Sequence, residues 1–139
     1  MKFVLSVAGA VRQFHPIVRD EVYRIGCEAM RNASLHSEAN QLSVAIAYGK
    51  EFSLQIRDDG KGMSPDVVDH GREGHYGLRG MRERASRIHG TLRFQSRPGA
   101  GTEVVLSVPA EIAFPPDPAP ETPMLRLLKG WTNGKANPN

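Results

Sequence analysis

The chain has 139 residues, 40% hydrophobic and 24% charged, the ordinary balance of one globular domain with a real core. A formal charge of +3 suits an anionic ligand, but Lys and Arg are scattered, and no aromatic-basic array marks a nucleic-acid binder. The single cysteine, Cys27, excludes an internal disulfide and favours a reducing compartment, and no apolar run approaches the ~20 residues of a membrane span.

Met1 to Ala10 lacks the layout of a secretory leader, having one lysine and then alternating residues. Phe3–Val7 and Val11–Phe14 read as short strands around a turn at Gly9. Pro16 opens a helix, its missing N–H harmless in the first turn, and the pattern runs to His36. Val18, Val22, Ile25 and Ala29 form its apolar stripe. Glu28, Asn32 and His36 follow at steps of four and share one side. Asn32 and His36 fall inside the apolar sector and Glu28 at its margin, so they are either satisfied by neighbours or turned toward a ligand.

Leu42, Val44, Ile46 and Tyr48 alternate in the next strand, and Gly49-Lys50 turns the chain back. Phe52, Leu54, Ile56 and Asp58 alternate in the strand that returns. The apolar face points inward and takes the Asp58 carboxylate with it, to a place where an unpaired charge is costly. Gly60 and Gly62 beside it allow close approach of backbone or ligand. Alone, Asp59-Gly60 reads also as a hairpin turn.

Between Met63 and Tyr76 apolar periodicity stops, and the polar, glycine-rich stretch reads as a surface loop or lid. A second helix begins after Gly77, with Leu78, Met81, Ala85 and Ile88 at core spacing and Gly90 as its C-cap. Its amino end, Gly77-Leu78-Arg79-Gly80, offers backbone N–H groups to an anion, or is an ordinary loop-to-helix junction. Thr91–Arg97 and Glu103–Pro109 are strands joined by Pro98-Gly99-Ala100-Gly101-Thr102. Composition then changes: residues 1–110 read as the domain and residues 111–139 as a proline-rich, disordered or loosely docked tail.

In order, then, the chain shows E-x-x-x-N-x-x-x-H on a helix, D-x-G-x-G after a strand, a glycine-rich lid running into G-L-x-G-M, and a G-x-G-T hairpin. These are Glu28/Asn32/His36, Asp58/Gly60/Gly62, Gly77 to Met81, and Gly99 to Thr102. From about Phe3 to Pro109 this resembles the ATP-binding domain of sensor histidine kinases, in the superfamily shared with the gyrase, Hsp90 and MutL ATPases. The phrase from Gly74 to Arg84 is most similar to kinases of the nitrate-sensor and desaturase-sensor type.

The resemblance implies an α+β fold of the Bergerat kind: a two-layer α/β sandwich with a mixed, mainly antiparallel sheet and helices on one face. It implies ATP and Mg²⁺ as cofactors. Asp58 would accept the adenine amino proton with Thr102 nearby, and Asn32 would give an oxygen to Mg²⁺. Gly60, Gly62, Met63 and the stretch Gly77, Leu78, Arg79 and Gly80 would line nucleotide and phosphates, which His36 would approach. Glu28 is the catalytic candidate, since in the superfamily's ATPases its position activates the attacking water.

Two departures stand out. Many relatives carry Lys or Arg immediately before the histidine, where this chain has Leu35, so a phosphate-side charge is either missing or supplied by Lys61, Arg79 or the lid. The phosphate-accepting histidine of such kinases lies upstream, followed by an acidic residue. None of the five histidines here fits that pattern. The expected role is therefore the catalytic half of a cytoplasmic kinase, with the parent protein membrane-anchored or not. Its partners would be a dimerisation domain carrying the acceptor histidine, through which it forms a homodimer, and a response regulator. Contact with nucleic acid or with the membrane is not expected. The rival readings are a nucleotide-holding regulatory module, an ATPase using Glu28, and a relative of the anti-sigma serine kinases.

Overall fold

The computed structural model describes residues 1–64, 77–116 and 122–135. The strands are β1 (Lys2–Ala8), β2 (Gln41–Tyr48), β3 (Glu51–Asp58), β4 (Thr91–Ser96) and β5 (Thr102–Pro109). The helices are α1 (Pro16–His36), α2 (Leu78–Arg87), α3 (Ala110–Ala113) and α4 (Pro123–Lys135). One five-stranded sheet has the order β1-β2-β3-β5-β4. Only the β1–β2 pair is parallel. Helices α1 and α2 cover one face, which gives the mixed α+β sandwich the sequence leads one to expect.

The alternation in β3 becomes its burial pattern: Phe52, Leu54, Ile56 and Asp58 are buried between intermediate or exposed residues. Because β3 is the middle strand, each of its inward side chains has neighbours on both sides. Leu42 and Thr102 pair with Asp58 in β2 and β5, respectively. From the helix layer Val18, Ile25, Ala29 and Ala33 of α1 and Met81, Ala85 and Ile88 around α2 close the core. At the uncovered edge, Phe3, Leu5 and Val7 share the face of Leu42, Val44 and Ile46 yet stay exposed.

The structure differs from expectation in three places. Val11–Phe14 forms no strand. Val11 is exposed, and Phe14 instead packs against Phe52 at 4.7 Å and Phe114 at 5.2 Å between ring centroids. Core packing continues past residue 110, where a loose tail is expected: Ala113 and Phe114 are fully buried, at 0% and 1% exposure. The expected tail opens on helix α3, tied down where His15 N–H donates to Ala113 O and Ala110 N–H to Lys50 O. Helix α4 follows, with Met124 and Leu127 exposed. Finally, His89 rather than Gly90 takes the left-handed conformation after α2, at φ 54°, while Gly90 N–H bonds back to Ala85 O. The lid expected between Met63 and Tyr76 lies, from residue 65 on, outside the described residues.

Candidate active site

Asp58 is a charged residue only 4% exposed. One carboxylate oxygen accepts the Gly60 N–H at 2.9 Å. Burial pushes its carboxyl above the ordinary value, and the charge of Asp59 adds to that. The N–H groups of Gly60 and Thr102 pull the other way. The backbone bonds stabilise the anion without offsetting the desolvation, which is the state of a carboxylate that gains from a further donor.

Such a donor has room. Asp58 lines a cavity of about 310 Å³ between α1 and the sheet, at the small end of the range of small-molecule sites. Ala29, Ala33, Ile56, Phe94 and Val104 make its apolar walls, and Asn32, His36 and Thr102 place polar groups in them. Asn32 and His36 are half-buried one turn apart on α1, opposite the sheet. A cavity with mostly apolar walls and one buried acceptor suits a heteroaromatic ring carrying an amino group. Lys61, Gly62, Met63 and Ser64 form the rim.

Backbone geometry holds this rim. A Cβ on Gly60 would lie 2.1 Å from Ser37 O, and one on Gly62 would lie 1.9 Å from Arg97 O. Lys61 N–H donates to Ser37 O at 2.7 Å, clamping the glycine turn onto the end of α1. Asp59 points away from the cavity and accepts from Gln41 and Asn40 N–H at 2.9 and 2.8 Å. The Gln41 bond, the largest influence, holds its carboxyl below the ordinary value, and the Asn40 bond adds to it against the opposing effect of burial. So the adjacent acids divide the work: Asp59 fixes the turn and Asp58 faces the cavity.

Ser96, which the sequence reading passed over, ties the far side together. Its Oγ accepts from Met63 N–H at 2.7 Å, lies 2.8 Å from Thr102 Oγ1, and donates to Gly101 O at 3.2 Å. Phe94 was missed as well. Both sit on the inward alternation of β4, with Leu92, Phe94 and Ser96 less exposed than their neighbours, and that period-two pattern was the available signal.

The expected site residues divide between two hollows. Asn32, His36, Asp58, Gly62, Met63 and Thr102 line the first, and Gly60 buttresses it without reaching the cavity wall. Glu28, Gly77 and Gly80 line a second hollow of about 490 Å³ between α1 and α2. Leu78 and Arg79 line neither, and Arg79 pairs with Glu83 at 3.3 Å on the surface. Gly77, at φ 64°, brings the start of α2 against Glu28, whose Oε1 a Cβ there would meet at 2.4 Å. Among the described residues no three His, Cys, Asp or Glu gather as metal ligands. An ion beside Asn32 would therefore draw most of its ligands from a bound phosphate and water, a coordination that suits Mg²⁺.

Residues 17–112 match the family of histidine kinase-, DNA gyrase B- and HSP90-like ATPases, and the chain belongs to it. It is 34% identical over 92 residues to the signal transduction histidine-protein kinase/phosphatase DegS of Bacillus subtilis, covering 66% of this chain and 24% of DegS. It is 37% identical over 93 residues to the sensor histidine kinase LiaS of the same organism, covering 66% and 25%. The chain thus spans about a quarter of the length of these relatives. In fold it is similar to the histidine kinase domain of the Erythrobacter litoralis EL346 blue-light activated histidine kinase, with a TM-score of 0.62. That likeness covers 78% of this chain and 55% of the other at 22% identity.

Proposed function

We propose that this chain is the ATP-binding catalytic domain of a two-component sensor histidine kinase. It holds Mg·ATP and presents the γ-phosphoryl group to a histidine on a dimerisation domain outside the chain. The observation that carries this reading is the buried Asp58 carboxylate on the wall of a mainly apolar cavity that Asn32 also lines. The kinases among the curated relatives support it.

Asp58 would accept from the adenine amino group, Phe94 would lie against the ring, and Thr102, fixed by Ser96, would complete the base contact. Asn32 would supply one oxygen to Mg²⁺, and His36 and the rim from Gly60 to Met63 would enclose the sugar and first phosphates. Gly77, Leu78, Arg79 and Gly80 would close on the phosphates together with the lid. The acceptor imidazole must arrive neutral, and this chain contributes position and charge neutralisation rather than a covalent step. Glu28 would lie near the path of that imidazole. The unit is proposed to run to Phe114, to act in a cytoplasmic homodimer joined through the dimerisation domain, and to serve a response regulator.

The test mixes this chain with the dimerisation segment of its parent protein and labelled Mg·ATP. Acid-labile, alkali-stable phosphohistidine on the segment is the expected product. Phosphate release without any phosphohistidine, abolished by Glu28→Gln, would make the chain an ATPase and overturn the proposal.

A further inference from the structure

The second hollow gathers three arginines, where the first has Lys61 alone at its rim. Arg24, Arg31 and Arg84 all line it, with Glu28 among them. Positions 24, 28 and 31 lie at steps of four and three on one side of α1. Ion pairs to Glu28 would be the ordinary outcome of that spacing. Neither forms: among the described residues Arg24 and Arg31 take part in no ion pair, while Glu28 is turned against Gly77.

Among the described residues the other cations nearby are paired or lie outside this hollow. Arg84 reaches Glu21 at 3.2 Å, Arg79 pairs with Glu83 outside both hollows, and Lys61 lies 4.0 Å from Glu38. Leu35, where a cation would meet phosphates in many relatives, is exposed. Two arginines thus share a hollow, and the carboxylate between them is turned against Gly77. Arginine's planar fork suits phosphate oxygens in a two-point grip. Both hollows lie along α1: Arg31 precedes Asn32 in sequence, and Arg24 lies eight residues before Asn32, about 12 Å along the axis.

We propose that Arg24 and Arg31 form the subsite for the terminal phosphates of the nucleotide, in place of the cation absent at position 35. This rests on the nucleotide-binding reading and assigns the end of the ligand that points away from Asp58. Both side chains are exposed, so their contribution is screened by salt and amounts to discrimination between nucleotides rather than to the whole affinity.

Calorimetry with ATP, AMP and inorganic triphosphate on the wild type and on an Arg24→Gln/Arg31→Gln double variant tests it. ATP affinity is expected to fall about tenfold, as for a lost charge-assisted contact, with AMP unchanged within about twofold. An ATP-to-AMP ratio equal to that of the wild type would overturn the subsite while leaving the base pocket standing. Inorganic triphosphate is the independent arm. It should bind the wild type and Asp58→Asn alike and the double variant more weakly, and this holds even if no adenine nucleotide binds at all. Triphosphate binding that is undetectable in the wild type, or unchanged in the double variant, would contradict the assignment.

Discussion

Asp58 shows how a residue can be costly to the fold and still be retained. Its carboxyl titrates above the ordinary value of 3.8 because burial disfavours the anion. The folded state therefore holds the proton more tightly than the unfolded chain does, and folding stability falls as pH rises from 3.8 through the raised folded value. Above that window the penalty is complete. Asp58→Asn keeps an oxygen for Gly60 N–H and removes the penalty, so its stability to urea at pH 7 should equal or exceed that of the wild type. Nucleotide affinity should move the opposite way on acidification. Binding by the wild type is expected to weaken as Asp58 takes up its proton, with a midpoint above 3.8 in a fluorescence titration, and the Asn variant should lack that transition. Asp59 has the reverse sign: its contribution is present above 3.8 and is lost as pH falls through its lowered folded value. Gly60→Ala would press a methyl onto Ser37 O, and the backbone shift should cost about 1–3 kcal/mol, as overpacking does, read as a lower urea midpoint. Strict alternation made Asp58 legible in the sequence. Ser96 stood in an equally regular strand, but its worth comes from Met63, Gly101 and Thr102 meeting at one hydroxyl, and no local pattern announces that.

Among the elements, α1, β2 and β3 follow from their periodicity, since each buries one face against a neighbour and has the right length to do so. The failures came where tertiary partners decide. Phe14 looked like the end of a strand and Phe114 like part of a proline-rich tail. Both are drawn into one aromatic cluster with Tyr48 and Phe52, residues far off in the sequence. Arg12 closes that cluster, its guanidinium 4.7 Å from the Phe114 ring centre and donating to Pro115 O at 3.2 Å. Phe114→Ala should therefore cost about 3–5 kcal/mol, the range for a buried aromatic, with a matching fall in the denaturation midpoint. Leu127→Ala on the exposed face of α4 should stay within about 0.5 kcal/mol, as surface changes do. Equal effects of the two substitutions would mean that the core boundary at Phe114 is misplaced.

For the whole molecule, the sheet order puts β3 at the centre and so carries the acid to a strand end flanked by a helix, a glycine turn and a hairpin. Residues 1–116 should fold with the stability of the full chain, whereas residues 1–109 lose α3 and Phe114 and should give no cooperative thermal transition. The family likeness in the motifs indicated one nucleotide cleft. The fold instead divides the expected residues into an apolar cavity around Asp58 and Asn32 and a basic hollow around Glu28. That division depends on how α2 docks against α1, through the pairing of Arg84 and Arg87 with Glu21 and the contact of Gly77 with Glu28.

Titration calorimetry of Mg·ATP into the wild type and Asp58→Asn bears most directly on this account. The wild type is expected to bind and the variant to lose at least about tenfold in affinity, or ~1.4 kcal/mol, while melting no earlier. Equal affinity in both proteins would contradict recognition of the base by the buried carboxylate.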